Sequence, residues 1–276
     1  IAQAVQLISI VDATAPQFTF VPADYTIECS EDLTLLDATA QDNCSDVSIS
    51  VSSVTTPGGD TGNYTLTRTF TATDDAGNST SASQTITVQD TTAPEFTTVP
   101  ADYTVECTDD MPMEAATAID ACGPVTVEVS SITTQGNASG NYVITRTFTA
   151  TDDAGNSTSA SQTITVQDTT APEFTFVPAD YTVECSEEMP MDDATASDNC
   201  AVVSIEVESE TTPGNATGNY VITRTFTATD DAGNSTSTSQ TITVVDTTAP
   251  ILNVPADYTV ECSDEMPMDD ATASDN

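Results

Sequence analysis

The side chains with the most chemical content are carboxylates that recur in step along the chain. Asp-Asp-Ala-Gly-Asn occurs at 74–78, 152–156 and 230–234. Two further aspartates keep the same rhythm, one at Asp42, Asp120 and Asp198 and one at Asp12, Asp90 and Asp168. Calcium takes six to eight oxygens from carboxylates, carbonyls and water, so the chemistry expected of these groups is calcium binding. A plainer reading stands beside it, because Asp, Gly and Asn favour turns without any ion. Catalysis is not expected. The chain has no histidine, which excludes a Ser-His-Asp arrangement. Carboxylate pairs are no signal of a glycosidase where 44 residues are acidic.

The elements that must position these groups are repeats. Val-Pro-Ala-Asp-Tyr-Thr begins at Val21, Val99, Val177 and Val254, and residues 67–97 are identical to 145–175. The period of 78 residues divides the chain into repeats at 13–90, 91–168 and 169–246. Residues 1–12 read as the last strand of a preceding repeat, and 247–276 as the truncated start of a further one. The chain is therefore expected to be a window on a longer protein.

Within a repeat the apolar residues alternate with threonine. Tyr142, Ile144, Phe148 and Ala150 share one face of a strand and Thr145, Thr147, Thr149 and Thr151 the other. Short alternating runs, Gly-Asn turns and no helical periodicity predict an all-β fold of tandem immunoglobulin-like antiparallel sandwiches, about seven strands in each. An odd number of antiparallel strands carries the chain from one pole of a sandwich to the other. The loop holding Asp120 and the turn holding Asp152 and Asp153 then lie at the pole where the linker brings Asp90. The same argument gathers Asp12, Asp42, Asp74 and Asp75 at one junction, and Asp168, Asp198, Asp230 and Asp231 at another. Ala121 stands where the neighbouring repeats have Asn43 and Asn199, which either weakens that site or shows that the position is not a ligand.

The seven cysteines point to an oxidising compartment. Cys29 and Cys44, Cys107 and Cys122, and Cys185 and Cys200 each lie fifteen residues apart, predicting one disulfide within each repeat. Cys262 is expected to have its mate beyond the window. Two thiols per repeat and no histidine do not complete a zinc site. The one arginine per repeat, Arg68, Arg146 or Arg224, is expected to be structural and paired with a carboxylate, with ligand contact as the other reading. The Met-Pro-Met runs at 111–113, 189–191 and 266–268 are expected to pack under the stapled loop, the alternative being an exposed patch.

A net charge of −41 with only three basic residues excludes binding of nucleic acid or of an anionic membrane surface. No apolar run is long enough to span a bilayer.

Asp-Thr-Thr-Ala-Pro at 90–94, Val-Pro-Ala-Asp-Tyr-Thr-Val-Glu-Cys at 99–107, Asp-Asn-Cys at 198–200 and Phe-Thr-Ala-Thr-Asp-Asp-Ala-Gly-Asn at 148–156 together resemble the hyalin-repeat (HYR-like) immunoglobulin-type domains of giant Bacteroidetes surface proteins. The linker and the Asp-Asp-Ala-Gly-Asn turn are also similar to those of bacterial Ig-like repeats in large adhesins. The resemblance implies secretion, often by the type IX route, and calcium-stiffened junctions. It also implies O-glycosylation at Thr91, Thr169 and Thr247.

The function expected is a structural stalk or filament segment of a long secreted cell-surface adhesin, with adjacent repeats as its first partners. Two alternatives remain at this level. One is a multivalent module that binds glycans or a partner. The other is a protomer in a homo-oligomeric extracellular fibre of identical chains.

Overall fold

The computed structural model describes residues 3–266 and 268–275. Every regular element among them is a strand. The first repeat shows the plan. β1 (Gln17–Phe20), β2 (Tyr25–Glu28) and β3 (Thr39–Gln41) are short, whereas β4 (Val47–Pro57), β5 (Tyr64–Asp74) and β6 (Ser79–Gln89) have 11 residues each. β1 pairs antiparallel with β3 in a small sheet, and β2, β6, β5 and β4 form a four-stranded sheet in that order.

Alternation decides the faces. On β5, Arg68, Phe70, Ala72 and Asp74 are buried, and the threonines between them are half-buried. Gln84, Ile86 and Val88 of β6 complete the same layer. Threonine suits the outer face, since its branched side chain fits a pleated, partly covered surface. Gly77 lets the β5–β6 turn close, with φ of 90° and its amide donating to the Asp74 carbonyl at 3.2 Å.

Two features depart from the sequence expectation. The repeat has six strands rather than about seven. In addition, β2 runs parallel to β6, in the register Tyr25↔Ile86 to Glu28↔Gln89. β1 and β2 thus act as one strand broken at Val21–Asp24, which starts in the small sheet at the upstream pole and ends in the large sheet at the downstream pole. β3 then climbs back, so that Cys29 and Cys44 finish at opposite poles.

The second repeat repeats the plan with β7 (Glu95–Thr98), β8 (Tyr103–Glu106), β9 (Thr117–Ile119), β10 (Val125–Gln135), β11 (Tyr142–Asp152) and β12 (Ser157–Gln167). The third does so with β13 (Glu173–Phe176), β14 (Tyr181–Glu184), β15 (Thr195–Ser197), β16 (Val203–Pro213), β17 (Tyr220–Asp230) and β18 (Ser235–Val245). β19 (Ile251–Asn253) and β20 (Thr272–Ser274) pair antiparallel in the last stretch.

By contact density the chain forms two compact units. One comprises residues 1–102, 112–132 and 145–163, and the other 103–111, 133–144 and 164–276. In the second unit Val183, Ile222, Ile242 and Val244 form one buried cluster with Met189 packed against it, and Ile144, Ile164 and Val166 form another with Met111. The first methionine of each of these runs is thus a core residue. Met113 and Met191, about half exposed, are not, and Pro267 of the last run lies outside the described residues.

The arginines are structural. Arg68 is 5% exposed and lies over the Phe70 ring at 4.9 Å. Its Nη1 donates to the Leu36 carbonyl at 2.6 Å and to Gln84 Oε1 at 3.2 Å. A carboxylate partner exists for two of the three, Asp37 for Arg68 and Asp193 for Arg224, both on exposed side chains. Arg146 is satisfied by the Glu114 carbonyl, Gln162 and the Phe148 ring.

Candidate junction site

The disulfides join neighbouring repeats instead of closing loops within each one. The bonded pairs are Cys29–Cys122 and Cys107–Cys200, each 93 residues apart, with Cα atoms 5.8 and 6.3 Å from one another. Cys44, Cys185 and Cys262 are free thiols. The expected pairing at fifteen residues fails for a geometric reason. In repeat one, Cys29 follows a strand that ends beside Gln89, whose carbonyl accepts the Cys29 amide at 3.0 Å. Cys44 lies at the other pole, its amide donating to Asp42 at 2.9 Å. A strand of 11 residues separates the poles, roughly 35 Å at the usual rise, so the two sulfurs of one repeat do not meet. A spacing of 93 residues is one period of 78 plus fifteen, which brings a downstream cysteine to the next repeat's upstream one.

A glycine makes the approach close. Gly62 (φ 85°) lies so near Cys122 that a Cβ there would sit 2.9 Å from its carbonyl oxygen, and one on Gly140 (φ 76°) would sit 2.9 Å from Cys200 Cβ. Only glycine combines a left-handed backbone with so little room.

The acidic groups gather at the same junctions. Asp90, Asp120 and Asp152 each offer an oxygen within 4.8 Å of the others, as do Asp12 and Asp42 with Cys44. Asp168 lies in the field of Asp198 and Asp230. At the first junction two of the four expected carboxylates therefore converge, and at the second junction three of the four do. The fourth does not. Asp153 is exposed and accepts the Thr61 hydroxyl at 2.7 Å, and Asp231 accepts the amide and hydroxyl of Ser139 at 2.9 and 2.8 Å. These bonds reach back to the preceding repeat and act as clasps. Asp75, the counterpart in the first repeat, is exposed.

Neighbours orient the convergent acids. Asp152 accepts the Asn156 amide at 2.9 Å and its side-chain nitrogen at 3.0 Å, and Asn156 also donates to the Asp90 carbonyl at 3.3 Å. Asp120 accepts the Cys122 amide at 2.7 Å. In the third repeat Asp198 accepts from Cys200 and Ala201, and Asn199 can turn its amide nitrogen toward both Asp198 oxygens, at 3.1 and 3.2 Å. Ala121 gives Asp120 no such partner.

Glutamates that the sequence reading left out complete the site. Glu28 accepts the amide and hydroxyl of Thr91 at 2.8 and 2.7 Å and the Thr92 hydroxyl at 3.0 Å. Glu106 holds Thr169 and Thr170 in the same way, and Glu184 holds Thr247 and Thr248. The signal was present in the repeated Val-Glu-Cys at 105–107, 183–185 and 260–262. The threonines Thr91, Thr169 and Thr247, expected as glycosylation sites, use their hydroxyls in this latch. Hydrogen bonds from the latch threonines hold all three glutamates below the ordinary carboxylate value of 4.5.

Asp90 and Asp168 shift the other way. Burial pushes both upward, aided by the surrounding carboxylates, against one amide bond from Thr92 or Thr170. Asp168 is 5% exposed and its Oδ2 has no hydrogen-bond partner among the described residues. Glu106 and Asp168 also offer oxygens within 4.8 Å of one another, and two ionised carboxylates that close repel unless a proton or a cation lies between them. At about 5 Å two like charges repel by about 0.8 kcal/mol even in bulk water, and by more where water is excluded. With no lysine in the chain and all three arginines in the cores, no basic side chain is at hand. Hard oxygen donors with an unfilled buried lone pair fit calcium.

Tandem immunoglobulin-like repeats linked across their poles define the class. The description "HYR-like domain with 4 cysteines" matches residues 19–88 and 96–166, a little over half of the chain, and "Bacterial Ig-like domain" matches 172–247. The chain belongs to the HYR-like family. Each matched HYR-like stretch carries two cysteines where that description has four. A comparison with curated proteins finds no match. Among solved structures, Drosophila N-cadherin EC1-4 is 16% identical, with 84% of this chain and 76% of that chain covered and a TM-score of 0.32. Mouse cadherin-23 EC22-24 is 14% identical, covering 84% and 99% at a TM-score of 0.32. Such likeness carries no argument about this chain. Domains of the HYR-like and Ig-like kinds are typically extracellular structural or adhesion modules. No catalytic family matches, and no helix among the described residues is long and apolar enough to cross a membrane.

Proposed function

We propose that the chain is a stalk segment of a long secreted cell-surface adhesin, built from repeats at 13–90, 91–168 and 169–246 and stiffened at each junction by a disulfide and by calcium. The observation that carries this reading is the unpartnered, buried Oδ2 of Asp168, set among Glu106, Asp198 and Asp230 beside the Cys107–Cys200 bond. Asp168, Asp198 and Asp230 would hold the ion at that junction, Asp90, Asp120 and Asp152 at the preceding one, and Asp12, Asp42 and Asp74 at the first. The ion's part is to replace mutual repulsion by shared coordination. The chain's own residues do the rest, the Asn turns orienting the acids and the Glu latch fixing the linker. Small-angle scattering in calcium and then in EDTA tests this. The expected result is a stiffer, longer particle with calcium, and an unchanged profile sinks the calcium part.

The fibre of identical chains keeps some support from the sheet edges. The outer strands expose Val51 and Val54 on β4, and Val129 and Ile132 on β10. An unpaired, partly apolar edge is a template for another strand. The mass of the intact particle distinguishes a single stalk from a bundle.

A further inference from the structure

The two disulfides overlap in sequence. Cys29–Cys122 closes one ring and Cys107–Cys200 another, and residues 107–122 belong to both. From Cys29 to Cys200 the backbone runs through 171 residues. A much shorter covalent route crosses the first bond to Cys122, goes back along the backbone to Cys107 and crosses the second bond to Cys200. It uses fifteen residues.

We infer that this route is the load path of the oxidised chain: between Cys29 and Cys200, tension applied along the array is carried by the cystines and the Cys107–Cys122 segment, and bypasses the long strands of the first two repeats. Residues 30–106 and 123–199, 77 in each stretch, lie outside the route. They hold all of β4, β5 and β6, and all of β10, β11 and β12. Of repeat two only the segment from Cys107 to Cys122 is on the route, with β9 as its one strand. Once that segment is straight, at roughly 50 Å for fifteen residues, pulling harder does no further work on the long strands of the first two repeats, whereas β16, β17 and β18, beyond Cys200, stay under load. The sheets then act as spacers that set where the cystines sit. Disulfides inside each repeat would behave differently, for they would shorten the route only by small loops and leave every long strand under load. The inference is independent of the cation, because connectivity alone fixes it.

Single-molecule force extension of the 276-residue chain, pulled from its two ends, tests it. Fully extended, the oxidised chain should be shorter than the reduced one by roughly 540 Å, the length of the two hidden stretches at about 3.5 Å per residue. Reduction with a phosphine should restore that length, and EDTA should not change it. Cys122→Ser removes the first bridge and leaves the second, so residues 108–199 alone are hidden and the taut chain lengthens by roughly 220 Å. Free-thiol counts of three before reduction and seven after it fix the redox state independently. An oxidised chain as long as the reduced one, or shorter only by roughly 50 Å for each bridge, overturns the inference. Since scattering with and without calcium reads stiffness and not contour length, failure of the calcium reading leaves this result untouched.

Discussion

The Cys107–Cys200 junction and the downstream pole of the third repeat are built from the same parts, yet only the first has its bond. In both, a glutamate latches two linker threonines. In both, an asparagine side chain accepts the amide of the linker aspartate, Asn141 for Asp168 and Asn219 for Asp246, at 2.7 Å. The Cys185 amide donates to Val245 at 2.9 Å, as Cys29 does to Gln89. Cys185 is a free thiol because the position 93 residues on falls beyond residue 276, and Asp246 is half-buried where Asp168 is 5% exposed. The local half of a junction is therefore set by its own strands and hydrogen bonds. What the neighbouring repeat adds is the second sulfur and the burial that turns a solvated carboxylate into a group with an unmet demand.

The largest effect expected from breaking this comparison is on stability. Replacing Cys107 and Cys200 by serine removes a loop of 93 residues, worth about 4–5 kcal/mol in the chain-entropy account. Thermal unfolding should fall accordingly, while amide exchange at Thr169 and Thr247 becomes alike if the latch is local. Loss of protection at Thr169 alone would contradict the view that the halves form independently.

Glycine substitutions give the next effect. Gly140→Val meets both strain at positive φ and the Cys200 Cβ and should cost about 2–4 kcal/mol, whereas Gly155→Ala has open space around it and should cost only about 1–2 kcal/mol. Denaturant midpoints measure both, and equal losses would argue against a tight junction.

Ala121→Asn makes the junction of Asp90, Asp120 and Asp152 resemble that of Asp168, Asp198 and Asp230. Calcium affinity there, read by calorimetry, should rise several-fold, and no change would show that Asn199 contributes nothing to its site.

The smallest effect is that of pH in the presence of a chelator. Glu106 has a lowered value, so its contribution is complete above the ordinary 4.5 and is lost as the pH falls through the folded-state value. Asp168 has a raised value, so its contribution is complete below the ordinary 3.8 and is lost as the pH rises through the folded-state value. Unfolding midpoints in EDTA should therefore peak in mild acid, where Asp168 still holds its proton and Glu106 is already ionised. Glu106→Gln should flatten the acid side of that peak, and calcium should abolish its fall toward neutrality.

The repeat, the strand faces and the approach of Asp90, Asp120 and Asp152 were legible because they follow from a period of 78, a period of two, and turns that must lie at poles. Ile144, Phe148 and Ala150 are buried together as their spacing predicts. The cysteine partners were not legible. Fifteen residues looks like a local loop until β2 is known to run parallel to β6, which sends Cys29 to the far pole. The inward or outward aim of Asp153 was hidden for a similar reason, since Asp152 and Asp153 are adjacent in sequence but face different repeats.

One feature of the long hairpins bears on how such a chain assembles. Residues 67–97 and 145–175 are identical, so a β5–β6 segment and its β11–β12 counterpart are interchangeable pieces, and a hairpin exchanged between neighbouring sandwiches would pack nearly as well as the native one. Neighbouring copies this alike invite such misassembly during synthesis. The edge strands are less alike. β16 carries Glu206, Glu208 and Glu210 at the positions where β4 has Ser50, Ser52 and Val54. Divergence at the rim, together with bridges that close only between successive repeats, gives each hairpin an address that its own sequence lacks.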